Sequence, residues 1–189
     1  MDWIERIRNA RSDAEKVLLL GAWLSNEAEK RGIKPPVVVG GSAVEVYSFG
    51  FYRSADVDLV GSREFIKSVL LSSGYFREEG RFFVSEELGL FVEVPDSSLA
   101  GSYQKVREVP LPNHEGKAHL IGIEDLIVDR LCACEFWRSE NDCLIAEYLV
   151  KKFMKELDIP YLRERAKKER VDRRLESILD SAEECRNER

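Results

Sequence analysis

Gly40-Gly41-Ser42-Ala43-Val44-Glu45-Val46-Tyr47-Ser48-Phe49-Gly50-Phe51-Tyr52-Arg53-Ser54-Ala55-Asp56-Val57-Asp58 parses as a small-residue turn, a short apolar helix and a return into a strand that carries two aspartates. Side chains alternate across a strand, so Asp56 and Asp58 point to one face while Val57 and Leu59 enter the other layer. Aspartate is disfavoured in strands and like charges repel, so a purely structural pair would have to be fully solvated. Paired carboxylates can instead share divalent cations, and two such ions roughly 3.5 to 4 Å apart stabilise both the attacking and the leaving oxygen of an in-line displacement at phosphorus. Gly40, Gly41 and Ser42 supply a complementary element, because a glycine turn opening a helix lets phosphates approach bare backbone N–H groups at the positive end of the helix dipole. The plainer alternatives are an ordinary turn needing positive φ and Ser42 as a helix N-cap.

Upstream, residues 2 to about 31 place Trp3, Ile4, Ile7, Val17, Leu18 and Leu24 at helical spacing, which predicts one or two helices ending at Gly32. Lys34-Pro35-Pro36 closes that connection, and Val37-Val38-Val39 is a short strand delivering Gly40. The helix after the glycines is expected over residues 42–49, and Gly50 to Ser54 should return the chain so that 56–60 pairs beside the first strand. Downstream, Gly61-Ser62 caps a helix ended by Ser72-Ser73-Gly74. Tyr75 to Val84 and Leu88 to Val94 then read as two strands around a Ser85-Glu86-Glu87 turn, with Pro95 expected to stop the second. That hairpin would bring Glu93 to the same sheet as the aspartates, although a polar residue on an exposed strand face is also an ordinary finding. A further strand is expected at Lys105 to Val109 and another at Lys117 to Ile121, separated by the linker Pro110 to Gly116. The remainder reads helical, with Ser139-Glu140-Asn141-Asp142 as a capping box, Asp158 and Pro160 opening another helix, and a last helix over 171–184.

An apolar residue, Gly-Gly-Ser, a spacer of thirteen residues and Asp-Val-Asp resemble the signature of the nucleotidyltransferase superfamily. The superfamily carries a third carboxylate on a neighbouring strand, a role that the resemblance gives to Glu93. Within it, the chain looks like small prokaryotic abortive-infection and antitoxin-type nucleotidyltransferases, whose helical half resembles Ile121 to Leu131 with Phe136, Trp137 and Asp142; the likeness spans roughly residues 34–165. The resemblance implies an α+β fold, with a small mixed sheet flanked by helices in residues 1–112 and a mainly helical lobe in 113–189. It also implies Mg²⁺ or Mn²⁺ on Asp56, Asp58 and Glu93, and a nucleoside triphosphate such as ATP held by Gly40, Gly41, Ser42 and Arg53. A nucleoside monophosphate would pass to a hydroxyl on a protein, an RNA end or a small molecule, with pyrophosphate leaving. Arg53 reads equally as a solvated turn residue. Asp129 and Arg130 should diverge on their helix, one of them reaching the cleft between lobes where such sites tend to lie. The rival class is a binding module or antitoxin-like partner protein that keeps the nucleotide site without turnover.

Composition bounds these readings. With 189 residues, 44% hydrophobic and 34% charged, the chain can bury a substantial core. No run approaches the length of a membrane span, and Met1-Asp2-Trp3-Ile4-Glu5-Arg6 lacks a signal-peptide pattern, so a cytoplasmic protein with no membrane partner is expected. Cys132, Cys134, Cys143 and Cys185 form no CxxC pair and read as reduced thiols. His114 and His119 are expected at the surface and offer no histidine-based metal site. A net charge of -6 argues against a broad grip on nucleic acid. Between Arg163 and Arg174, however, seven basic residues face three acidic ones, leaving that segment at +4 and the rest at -10. Such a segment can hold an RNA end or form a solvated helix face laced with ion pairs.

Overall fold

A computed structural model of the chain describes residues 2–111 and 116–187, the last five of these by backbone alone. His114 and part of the expected linker fall outside the described residues, as does the side chain of Cys185. The chain divides into two compact units, Met1–Ile121 and Gly122–Arg189.

The first unit is a mixed sheet with helices, and each boundary has a local cause. Helices α1 (Trp3–Arg8) and α2 (Asp13–Lys30) are opened by Asp2 and Ser12, whose side chains accept from Ile4 N and Glu15 N; caps of this kind contribute about 1 kcal/mol each. After β1 (Val37–Val38) come α3 (Gly40–Tyr47), β2 (Val57–Val60) and α4 (Arg63–Ser72), which Ser62 caps as expected. The sheet is completed by β3 (Arg77–Glu79), β4 (Phe82–Ser85), β5 (Leu90–Asp96), β6 (Arg107–Pro110) and β7 (Lys117–Leu120), in the spatial order β3-β4-β5-β2-β1-β7-β6. The pairs β2–β5 and β1–β7 are parallel, and the others are antiparallel. Val57, Leu59, Phe83 and Val92 point into the core with Ile66 and Leu70 of α4 and Leu20 and Leu24 of α2. Burying side chains of this size stabilises by roughly 1.5 to 3 kcal/mol each.

Three expectations for this unit are corrected. The segment Tyr75 to Val84 is two strands rather than one, because Gly80 takes φ +58° and folds β3 back onto β4. Strand β5 runs through Pro95 to Asp96: the pairing shifts register between Asp58 and Val60, which adds a residue on the β5 side and accommodates a residue that cannot donate. Helix α3 begins at Gly40, so Ser42 lies inside it and Val39 occupies the N-cap position without a side-chain bond.

The second unit is helical: α5 (Ile123–Phe136), α6 (Glu140–Phe153), α7 (Ile159–Lys168) and α8 (Asp172–Asn187). Ser139 and Asp158 cap α6 and α7 by accepting from Asp142 N and Tyr161 N. The tight link between α5 and α6 folds Cys143 onto Cys134, whose Cα atoms are 4.9 Å apart, and the two form a disulfide. This overturns the expectation of reduced thiols for that pair, since the contact is made by a helix hairpin and not by sequence spacing. Cys132 is free, and burial pushes its thiol up to about 11. Asp129 and Arg130 do not diverge. The long guanidinium folds back to Asp129 and also reaches Asp142 at 2.8 Å. Among the described residues, no helix is long and apolar enough to cross a membrane.

Candidate active site

Strand β1 delivers the chain to Gly40 at the start of α3. Gly40 has φ +58°, and a Cβ there would meet Asp58 Oδ2 at 2.2 Å. Only glycine satisfies both the backbone and the space, so the carboxylate of Asp58 lies directly against the turn. Gly41 is equally confined: its Cβ would meet Ser54 Oγ at 2.7 Å and Tyr52 Oη at 3.5 Å. The returning loop is therefore folded over the glycine pair.

Ser42 is fully buried, and its hydroxyl is used in both directions. It donates to Val39 O at 2.9 Å and accepts from Asp58 N at 3.2 Å. The residue ties α3 to β2 and fixes the backbone of Asp58. Val39 N adds a second tie by donating to Asp58 O at 3.0 Å. The parallel register of β2 and β5 sets Asp58 beside Glu93. Asp56, Asp58 and Glu93 are half-buried, and each offers a carboxylate oxygen such that the three atoms lie within 4.8 Å of one another. Arg53 is exposed at the end of the preceding loop.

The donor set fits a hard divalent cation. It consists of carboxylate oxygens without histidine or thiol, as Mg²⁺ and Mn²⁺ prefer, and Gly40 keeps open the space that Asp58 occupies.

Two further residues shape the site without having stood out in the sequence. Glu45 of α3 is only 3% exposed. Its side chain accepts from Ser54 N at 3.0 Å and its backbone carbonyl from Gly50 N at 2.9 Å, so this buried residue holds both ends of the loop that leads to Asp56. Its one signal was a glutamate inside an apolar helical run. Within that loop Phe49 adopts φ 55°, an uncommon conformation for a bulky residue, and Phe49 and Phe51 are largely exposed. The second residue is Arg81, whose Nε lies 3.4 Å from Glu93 Oε1. No sequence signal marked it, because the contact depends on the pairing of β4 with β5.

The remaining candidates fall elsewhere. His119, expected at the surface, is a strand residue with little exposure; its Nδ1 lies 3.0 Å from Ser25 Oγ, and burial lowers its pKa below 6.5 although Glu108 opposes the shift. In the basic segment Arg163 pairs with Glu176, Arg165 with Asp125 and Glu169, and Arg174 with Glu135. Those three cations are engaged by acids of the chain itself.

No protein-family model matches the chain, and no curated protein matches its sequence. Among solved structures it is similar to an antigenic nucleotidyltransferase-like protein from Paracoccidioides brasiliensis, with a TM-score of 0.54, 16% identity and 93% of each chain covered. A weaker likeness is to the antibiotic-resistance factor ANT(2'')-Ia, with a TM-score of 0.45, 14% identity, and 87% of this chain and 93% of that one covered. The first likeness shows that the α+β fold is nucleotidyltransferase-like.

Proposed function

We propose that this chain is a metal-dependent nucleotidyltransferase that moves a nucleoside monophosphate from a nucleoside triphosphate to an acceptor hydroxyl. The observation that carries the reading is the convergence of Asp56, Asp58 and Glu93 within 4.8 Å beside the glycine turn at the start of α3. Asp56, Asp58 and Glu93 would hold the divalent cations, which when bound supply positive charge at the reacting oxygens and ease ionisation of the acceptor hydroxyl. The first amides of α3, at Gly40 and Gly41, face the triphosphate from the positive end of the helix dipole, and Arg53 adds an exposed cation to the loop. Ser42 and Val39 keep Asp58 in register rather than touching the nucleotide. In the reaction the acceptor oxygen forms a bond to the α-phosphorus, and the bond from that phosphorus to the pyrophosphate oxygen breaks. The hydroxyl proton would pass to a nearby base, a role that this reading gives to Glu93.

The test is titration of wild type and Asp58→Asn with Mn²⁺ and then with each ribonucleoside triphosphate, followed by a pyrophosphate-release assay. Wild type should bind Mn²⁺ and one or more triphosphates and release pyrophosphate, while Asp58→Asn should lose metal and triphosphate affinity with its circular dichroism unchanged. Equal Mn²⁺ affinity in both proteins would remove the site assignment. Triphosphate binding without pyrophosphate release, alone or with a co-purifying protein, would replace the enzyme by the antitoxin-like binding module.

A further inference from the structure

Arg81 presents a chemical contradiction if the carboxylates serve only to hold metal. A guanidinium 3.4 Å from Glu93 competes with any cation for that ligand, and as a surface ion pair it adds at most about 1 kcal/mol to stability. Yet its placement is well defined. Arg63 Nη1 donates to the carbonyl of Arg81 at 3.2 Å, and the Arg81 guanidinium lies 4.8 Å from the ring centroid of Phe82. The side chain nevertheless remains 70% exposed.

The register of β4 and β5 shows what surrounds it. Phe82 is the cross-strand partner of Glu93, and Phe91, two residues before Glu93, shares its face and is 44% exposed. One flank of the carboxylate cluster therefore carries a guanidinium and two aromatic rings. The strand order β4-β5-β2-β1 puts this flank on the side of Asp58 opposite to β1, from which the glycine turn departs. If the glycine turn takes the triphosphate, as in the function proposed above on which this inference rests, the β4–β5 flank is left for the acceptor.

We infer that the acceptor is the terminal nucleotide of a single-stranded nucleic acid, its phosphate on Arg81 and its base on the exposed ring of Phe91. A guanidinium matches a phosphate oxygen pair, and an exposed phenyl ring stacks with any base. A polycationic acceptor offers the guanidinium no complementary group, and a neutral sugar lacks the anionic oxygens that it pairs with. The net charge of -6 fits one end nucleotide rather than a long duplex.

The experiment uses the full chain in two stages. Calorimetric titration with Mn²⁺ first compares wild type with Asp58→Asn. Fluorescence anisotropy then follows a short 5′-fluorescein-labelled single-stranded RNA, and DNA of the same sequence, across a range of salt concentrations. Arg81→Ala should weaken binding of the labelled strand by roughly tenfold and lower the salt slope by about 1, and Arg81→Lys should restore the slope. Phe91→Ala should weaken binding by roughly fivefold to a hundredfold with the slope unchanged. Both side chains are exposed, so circular dichroism of the variants should match wild type. Wild-type affinity and slope in Arg81→Ala would overturn the inference while leaving the function intact. Failure of wild type to bind Mn²⁺ would overturn both.

Discussion

Asp125, in α5, has no exposed surface, and its own chain meets it from two directions. Tyr161 Oη donates to its two carboxylate oxygens at 2.9 and 3.0 Å, and Arg165 Nε donates at 2.9 Å. Burial opposes the charge on Arg165, but the hydrogen bonds to Asp125 and Glu169 outweigh it and raise the pKa. Asp58, in β2, is half-buried and has two more carboxylates within 4.8 Å. The same side chain is thus held by a hydroxyl and a guanidinium in the helical unit and set beside two more carboxylates in the sheet unit. A carboxylate compensated by its own chain contributes to the fold. One set beside two further carboxylates offers a divalent cation a set of oxygen ligands.

The strongest way to break this contrast is to remove each aspartate in turn. Asp125→Ala removes the buried acceptor shared by Tyr161 Oη and Arg165 Nε and should lower stability by about 3 to 5 kcal/mol, read as a shift of the urea midpoint. Asp58→Asn should leave the midpoint within about 1 kcal/mol of wild type while Mn²⁺ affinity collapses. Loss of stability at Asp58 equal to that at Asp125 would show that both carboxylates are structural.

A smaller change sharpens the link between the glycine turn and the carboxylate. Gly40→Ala must shift Asp58 or the turn, because φ +58° and a 2.2 Å approach to Oδ2 cannot both be kept. The expected result is a stability cost of about 1 to 3 kcal/mol together with weaker Mn²⁺ binding. Normal metal affinity in this variant would separate the turn from the site.

What the sequence made legible was local. The order of the glycine turn, the short helix and Asp56-Val57-Asp58 survives because each piece is specified within a few residues, and the helix starts at Ser62, Ser139 and Asp158 were written in their own capping side chains. Glu93 could be named from the family resemblance, which calls for a third carboxylate on a neighbouring strand and meets it in the apolar run Leu90 to Val94. Its neighbour Arg81 could not, since nothing in a hairpin sequence states which cross-strand residue a long side chain will meet. The disulfide was hidden for the same reason: Cys134 and Cys143 are nine residues apart on different helices and meet only when α5 and α6 form a hairpin. Ser42 was assigned to the triphosphate through the resemblance, with a helix N-cap as the plainer alternative; its buried hydroxyl ties that helix to β2, a bond that no local pattern announces.

The disulfide also lets the two units be perturbed separately. Reduction releases a short loop, for which chain entropy gives about 2 to 3 kcal/mol. Reduced protein should lose that stability in the helical unit, with hydrogen exchange rising in α5 and α6 and staying constant in β2 and β5. Faster exchange at Asp58 on reduction would show that the carboxylate site depends on the helical unit.

The smallest expected effect belongs to His119, a titratable group in the sheet unit. Ser25 Oγ lies at 3.0 Å, while Glu108 favours the proton and Lys117 opposes it; burial dominates and lowers the pKa below 6.5. The unfolded chain therefore takes up the proton first as pH falls. Stability from this residue is fully present above about 6.5, declines as pH drops through the interval between the unfolded and the lowered folded value, and reaches its limit below the latter. Urea midpoints from about pH 7.5 to 5.5, where most carboxylates stay ionised, should fall for wild type more than for His119→Gln, by well under about 1 kcal/mol because Glu108 offsets part of the burial cost. A steeper loss in the variant would mean that the imidazolium is held by Glu108 after all, and that this strand is built on a charge pair like the one that holds Asp125.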